Sequence, residues 1–190
     1  MQISRKVLEF RRLMKNRKVA VLGVGISNRP LIRYIYSLGA DITAFDKLPA
    51  EDPVLAKTRS DFEAEGIRLN WSLGDDYLKP LADGGFDMIF RTPKMRFDVP
   101  ELKSAVAKGS VLTSEMEVFM DLCPAPIFAV TGSDGKTTTT TLISLILKDA
   151  GYNVYVGGNI GTPLLDRIDT ITENDMVVLE LSSFQLLTMK

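Results

Sequence analysis

Thr131-Gly132-Ser133-Asp134-Gly135-Lys136-Thr137-Thr138 lies between an apolar run, Ile127–Val130, and a segment of helix length, Lys136–Ala150. A strand that passes through a glycine turn into a helix is the setting in which such a turn grips phosphate. The glycines let the backbone turn tightly, so that several N–H groups point inward, and the helix N-terminus adds partial positive charge. Lys136 supplies a full charge for terminal phosphates, and the Thr137 hydroxyl is placed to hold a magnesium ion bridging them. Six residues before the lysine stands Val130, where the longer P-loop consensus has glycine, so this is a shortened relative of that loop. Gly132, Ser133, Asp134, Gly135, Lys136, Thr137 and Thr138 are the candidate phosphate-binding residues.

The strand–helix alternation extends outward in both directions. Ile3, Val7, Leu8, Phe10, Leu13 and Met14 fall at helical spacing and predict an opening amphipathic helix. Val19–Leu22 is a short apolar run ended by Gly23, a buried strand entering a turn. Ser27 or Asn28 then caps a helix through about Ser37, with Pro30 tolerated in its first turn. Strand Ile42–Phe45 ends at Asp46, and helix Val54–Glu65, strand Ile67–Asn70, strand Phe86–Phe90 and helix Pro100–Lys108 follow. Beyond the phosphate loop, strands are expected at Asn153–Val156 and Met176–Leu181. This rhythm predicts an α/β fold with a mostly parallel sheet covered on both faces. Cys123-Pro124-Ala125-Pro126 cannot continue a helix and biases the chain towards an extended path. The predicted division is a Rossmann-like domain over residues 1–122 and the first part of a P-loop-type ATPase domain over 123–190.

Three further constellations carry chemistry. Gly23-x-Gly25 after the first strand, with Asp46 ending the second, resembles a dinucleotide fingerprint whose third glycine is replaced by Asn28. Whether its ligand is NAD or another nucleotide is left open by these residues. Gly157-Gly158-Asn159-Ile160-Gly161 suggests backbone held close to something, with the Asn159 amide free to donate and accept, or else a plain turn. Glu180 ends an apolar strand on the ligand-facing edge of a parallel sheet, where it can bind magnesium directly or through water, and Ser182 beyond it can touch a substrate, or else this is a plain solvated strand end.

Composition excludes several classes. A net charge of −1 gives no electrostatic case for nucleic acid or a membrane surface as the main partner. The absence of histidine excludes a His-dependent triad and the usual zinc sets, and the single cysteine, Cys123, excludes an intrachain disulfide. No segment reads as a signal peptide, and runs such as Ile127–Val130 and Met176–Leu179 are too short to cross a bilayer. The default compartment is the cytoplasm.

Thr131–Thr138, Gly158-Asn-Ile-Gly-Thr-Pro-Leu and Leu179-Glu-Leu-Ser-Ser-Phe-Gln-Leu186, in this order, resemble the ATP-dependent Mur ligase family. The resemblance covers the whole chain and is strongest after about residue 110. It implies a UDP-gripping N-terminal domain, a central ATPase domain and a C-terminal domain bearing the incoming amino acid. By match of motif it implies that Lys136 and Thr137 hold ATP and magnesium, that Glu180 is a magnesium ligand, and that Lys136 and Glu180 are the catalytic pair. It implies that Asn159 and Ser182 contact the muramoyl substrate, while Gly23, Gly25, Ser27, Asn28 and Asp46 meet the UDP. Thr92 joins the UDP set, because Arg91-Thr92-Pro93-Lys94 stands where the family has a Ser-Pro-Gly turn. The implied substrates are UDP-N-acetylmuramoyl-L-alanine and D-glutamate, joined through an acyl phosphate, with no nucleic-acid or membrane partner. The family's later histidine, carbamylated lysine and C-terminal domain have no counterpart here. The chain is therefore expected to be a fragment, unable to make the amide alone, with apolar strand surface exposed around Val177–Leu181 unless it pairs with another chain or refolds. Competing readings are another member of the superfamily, a nucleotide-binding module without catalysis, and an NAD-dependent oxidoreductase resting on Gly23-x-Gly25 and Asp46.

Overall fold

The computed structural model describes residues 3–92, 95–96, 98–186 and 189. Pro93 and Lys94, in the expected nucleotide-contacting turn, lie outside the described residues. The chain divides into two compact units, one of Arg11–Glu115 and one of Met1–Phe10 with Met116–Lys190.

The first unit is built on five parallel strands: β1 (Lys18–Leu22), β2 (Asp41–Asp46), β3 (Asn70–Leu73), β4 (Met88–Arg91) and β5 (Val111–Thr113). Their order, β3-β2-β1-β4-β5, reverses direction between β1 and β4 and so creates the crevice where ligands bind in open parallel sheets. Val19, Ala20, Val21 and Leu22 are all fully buried, as a central strand covered on both faces must be. The intervening helices are α2 (Asn28–Ser37), α3 (Pro53–Ala64), α4 (Lys79–Ala82) and α5 (Pro100–Ala107), preceded by α1 (Arg5–Met14). α2 buries Leu31, Ile32, Tyr34 and Ile35. A hydrophobic cluster gathers Ala20, Leu22, Phe45, Leu81, Ile89, Leu102 and Ala105, each large side chain contributing about 1.5–3 kcal/mol by burial.

The third strand departs from the sequence expectation of Ile67–Asn70. α3 starts at Asp52, whose carboxylate accepts from the Val54 and Leu55 amides, and it ends in a left-handed Gly66. The Gly66 amide bonds to the Glu63 carbonyl at 3.0 Å and the Ile67 amide to the Phe62 carbonyl at 2.8 Å. This pair of bonds makes Ile67 the apolar residue that closes the helix cap. The strand therefore begins three residues later, at Asn70. The short elements α4 and β5, and α6 (Glu115–Leu122), were likewise not foreseen.

The second unit holds a three-stranded parallel sheet of β6 (Ile127–Val130), β7 (Val154–Gly158) and β8 (Met176–Glu180), in the order β6-β8-β7. α7 (Lys136–Asp149) packs on β8, a 3-10 turn spans Leu165–Thr170, and α8 (Ser183–Leu186) follows β8. The expected exposure around Val177–Leu181 is not found, since these residues are at most 5% exposed. β8 is the middle strand, paired on both edges, and the apolar exposure falls elsewhere. It appears at Phe128 of β6, at Leu142, Leu145 and Ile146 of α7, and at Phe184. No helix among the described residues is long and apolar enough to cross a membrane.

Candidate functional site

In the second unit, β6 delivers the chain into Thr131–Gly135 and then straight into α7. Gly132 has φ 148° and Gly135 is left-handed at φ 72°, immediately before the first helical residue. Among the described residues the amides of Gly132, Ser133, Asp134, Gly135 and Lys136 find no acceptor, so the loop presents a set of unused donors at a helix N-terminus. The Lys136 ammonium folds back over them, donating to the Gly132 carbonyl at 2.8 Å and the Ser133 carbonyl at 3.1 Å. The Ser133, Asp134 and Thr138 side chains are exposed and make no side-chain bond among the described residues.

Glu180 is where the remaining candidates of this unit converge. It ends β8, is 5% exposed, and its Oε2 accepts from the Thr137 hydroxyl at 2.8 Å. In the ladder it is the partner of Val130 on one side and of Gly158 on the other. The Asn159 backbone N–H donates to the Glu180 carbonyl at 2.9 Å, and Asn159 is exposed. Gly158 must be glycine, because at φ 99° a Cβ would stand 2.1 Å from the Glu180 carbonyl oxygen. The Thr137 and Glu180 oxygens are hard donors held side by side. Two neighbouring oxygens on an octahedral magnesium with ~2.1 Å bonds lie about 3 Å apart, so the pair fits that ion. Among the described residues no cluster of three or more acidic, cysteine or histidine side chains offers a fuller metal site. Ser182 begins α8 as a capping box: its amide and hydroxyl donate to Gln185 Oε1 at 2.8 and 3.0 Å, and its Oγ accepts from the Gln185 amide at 3.3 Å. The Ser-x-x-Gln spacing was the signal for this brace.

In the first unit, the turn Gly23–Asn28 joins β1 to α2 at the crevice. Gly23 lies against Thr92, which follows β4, with a would-be Cβ 3.0 Å from Thr92 Cγ2. Asp46, ending β2, accepts from the Val24 amide at 2.9 Å and the Leu48 amide at 3.1 Å, so both its oxygens already organise backbone. Asn28 is 2% exposed and donates Nδ2 to the Leu22 carbonyl at 3.2 Å and the Gly23 carbonyl at 2.8 Å. It braces the turn from within, in the place of the fingerprint's third glycine. Ser27 precedes α2 without a side-chain capping bond. The structure thus brings Gly23, Asp46, Asn28 and Thr92 together around one turn. It also adds Arg29, whose Nε donates to the Val24 carbonyl at 3.2 Å and which sequence reasoning passed over.

Residues 130–189 match the Mur ligase middle domain family. A UDP-N-acetylmuramoylalanine–D-glutamate ligase of Ruminiclostridium cellulolyticum is 57% identical over 99% of this chain and 39% of its own length. One of the same description from Acetivibrio thermocellus is 58% identical over 98% of this chain, again 39% of its own. The chain therefore spans about two-fifths of the length of these relatives. Among solved structures, a UDP-N-acetylmuramate:L-alanyl-gamma-D-glutamyl-meso-diaminopimelate ligase of Neisseria meningitides superposes loosely, with a TM-score of 0.49 and 18% identity over 87% of this chain and 52% of its own.

Proposed function

We propose, from the premise that this chain belongs to the Mur ligase family, that it carries the precursor-binding part and the first ATP-binding part of the cytoplasmic ligase joining D-glutamate to UDP-N-acetylmuramoyl-L-alanine in peptidoglycan synthesis. The observation that carries this reading is the 2.8 Å bond between Thr137, at the head of the phosphate loop, and the buried Glu180. In this reading Gly132–Thr138 hold the ATP phosphates, with Thr137 and Glu180 as magnesium ligands. Magnesium, held there by Thr137 and Glu180, would neutralise charge on the phosphates.

The chemistry follows from charge. A carboxylate resists attack by an amine because it is already negative. Attack of a carboxylate oxygen on the γ-phosphorus of ATP breaks the bond to the β,γ-bridging oxygen, releases ADP and gives an acyl phosphate, in which the carbonyl carbon has gained a good leaving group. The D-glutamate amine then adds to that carbon, and the tetrahedral intermediate expels phosphate. Lys136 and the unused loop amides act on the moving phosphoryl group, whose oxygens carry the developing negative charge. The Gly23–Asn28 turn, Asp46 and Thr92 hold the UDP portion, and Asn159 and Ser182 approach the muramoyl portion.

Calorimetric titration of the chain with magnesium-ATP and, separately, with UDP-N-acetylmuramoyl-L-alanine tests this reading. Both should bind, and Lys136→Ala should weaken magnesium-ATP on the order of 10–100-fold, the weight of a charge-assisted contact, while leaving the precursor unaffected. Binding of NADH in place of the UDP precursor would contradict the reading, as would ATP affinity indifferent to Lys136.

A further inference from the structure

The turn that enters α2 is organised in a particular way. Four consecutive carbonyls, those of Leu22, Gly23, Val24 and Gly25, are drawn to donors on residues 28 and 29. Asn28 Nδ2 takes the first two, Arg29 Nε takes Val24 at 3.2 Å, and the amides of Asn28 and Arg29 both take Gly25 at 3.2 Å. The amides of Gly25, Ile26 and Ser27 find no acceptor among the described residues. Side chains in the first turn of a helix lean back towards its N-terminus, which brings Arg29 over the turn it braces.

Arg29 differs from the other arginines of α2 and its surroundings. Arg33, one turn further along, is forked onto Glu65 at 2.6 and 2.7 Å, and Arg17 is paired with Asp87 at 2.8 Å. For Arg29 no carboxylate lies within ion-pair range among the described residues, and its two terminal nitrogens make no hydrogen bond there. Holding Nε on a backbone carbonyl fixes the plane of the guanidinium and leaves its outer nitrogens as a preorganised, fully charged fork. The Asp46 carboxylate, at the end of β2, sits against the same turn and accepts from the Val24 amide at 2.9 Å. A diphosphate entering there meets that negative charge, and a cation on the turn offsets it.

We propose that Arg29 is a diphosphate-binding residue of this chain, its guanidinium both bracing the Gly23–Asn28 turn and contacting the anionic linkage of the UDP ligand. This rests on the reading of that turn as the UDP site. The test is calorimetric titration of the chain with UDP at two salt concentrations, for the parent, Arg29→Ala and Arg29→Lys, each first shown folded by circular dichroism. Arg29→Ala should weaken UDP by about 10–100-fold and flatten the loss of affinity with salt. Arg29→Lys, which keeps the charge but not the planar fork, should recover part of the affinity and the salt dependence. A parent that binds UDP and an Arg29→Ala variant within threefold of it would overturn the inference alone. So would a lysine variant no better than alanine with the parent's salt dependence retained in both, since the side chain would then act only on the shape of the turn. A parent that ignores UDP would overturn the inference together with the reading beneath it.

Discussion

Replacing Gly158 by alanine probes how firmly the sheet holds Glu180 in place. At φ 99° an L side chain is strained by about 1–2 kcal/mol. The added Cβ would also stand 2.1 Å from the Glu180 carbonyl oxygen, 2.9 Å from its carbonyl carbon and 3.0 Å from its amide nitrogen. Ordinary contact begins near 3.4 Å, so β7 must part from β8 by roughly 1 Å at a position where Gly158 and Glu180 are register partners. All three opposing atoms are backbone, with no side-chain end to swing aside, and overpacking of this kind costs about 1–3 kcal/mol. Gly151→Ala is the control in the same unit, because Gly151 has φ 90° and open space where its Cβ would lie. The two variants share the strain, and only the first adds the clash. Gly158→Ala should therefore be less stable than Gly151→Ala by about 1–3 kcal/mol, or roughly 2–12 °C in Tm for a chain of this size. Thermal unfolding by far-ultraviolet circular dichroism measures the difference, and amide hydrogen exchange in β7 and β8 localises it. Equal melting of the two variants would refute the reasoning.

Two other outcomes follow from the bracing groups. Asp175 is 8% exposed and accepts from the Thr172 amide and hydroxyl and from Asn153 Nδ2. Burial alone would raise its pKa, but these donors outweigh it and hold the carboxyl below the ordinary value. Its stabilisation is accordingly present above the usual carboxylate range and is lost as pH falls through the depressed value. Asp175→Asn should cost about 1–3 kcal/mol at neutral pH and shrink that acid-side loss, as urea midpoints measured from neutral to acid pH would show. Asn28→Ala leaves the Leu22 and Gly23 carbonyls without the buried amide and should cost about 1–3 kcal/mol. Fluorescence of Trp71, the single tryptophan, reports it during urea unfolding, since Trp71 lies on β3 of the same unit.

Much of the fold was legible because its signals are local. Short apolar runs marked β1, β2, β6 and β8 to within a residue or two, and the Gly-Lys-Thr sequence marked the head of α7. The strand at Asn70 was misjudged because Ile67 is apolar for a different reason, as the cap contact of the preceding helix. The three residues of β5 and four of α4 are too few to show a period. The expected exposure of Val177–Leu181 failed because sequence does not say whether a strand is a middle or an edge one. Arg29 and Gln185 were overlooked because their roles lie in what they hold, one a carbonyl and the other a serine.

By itself the sequence determined what the Thr131–Thr138 loop can offer an anion, since backbone freedom at glycine, charge on lysine and the hydroxyl of threonine belong to residues whatever surrounds them. Only tertiary structure decided which carboxylate that threonine meets. Thr137 and Glu180 are 43 residues apart, and parallel strands hydrogen-bond alike with any neighbour. No local pattern encodes the order β6-β8-β7 that sets Glu180 beside the loop. The packing of α7 across the middle strand does.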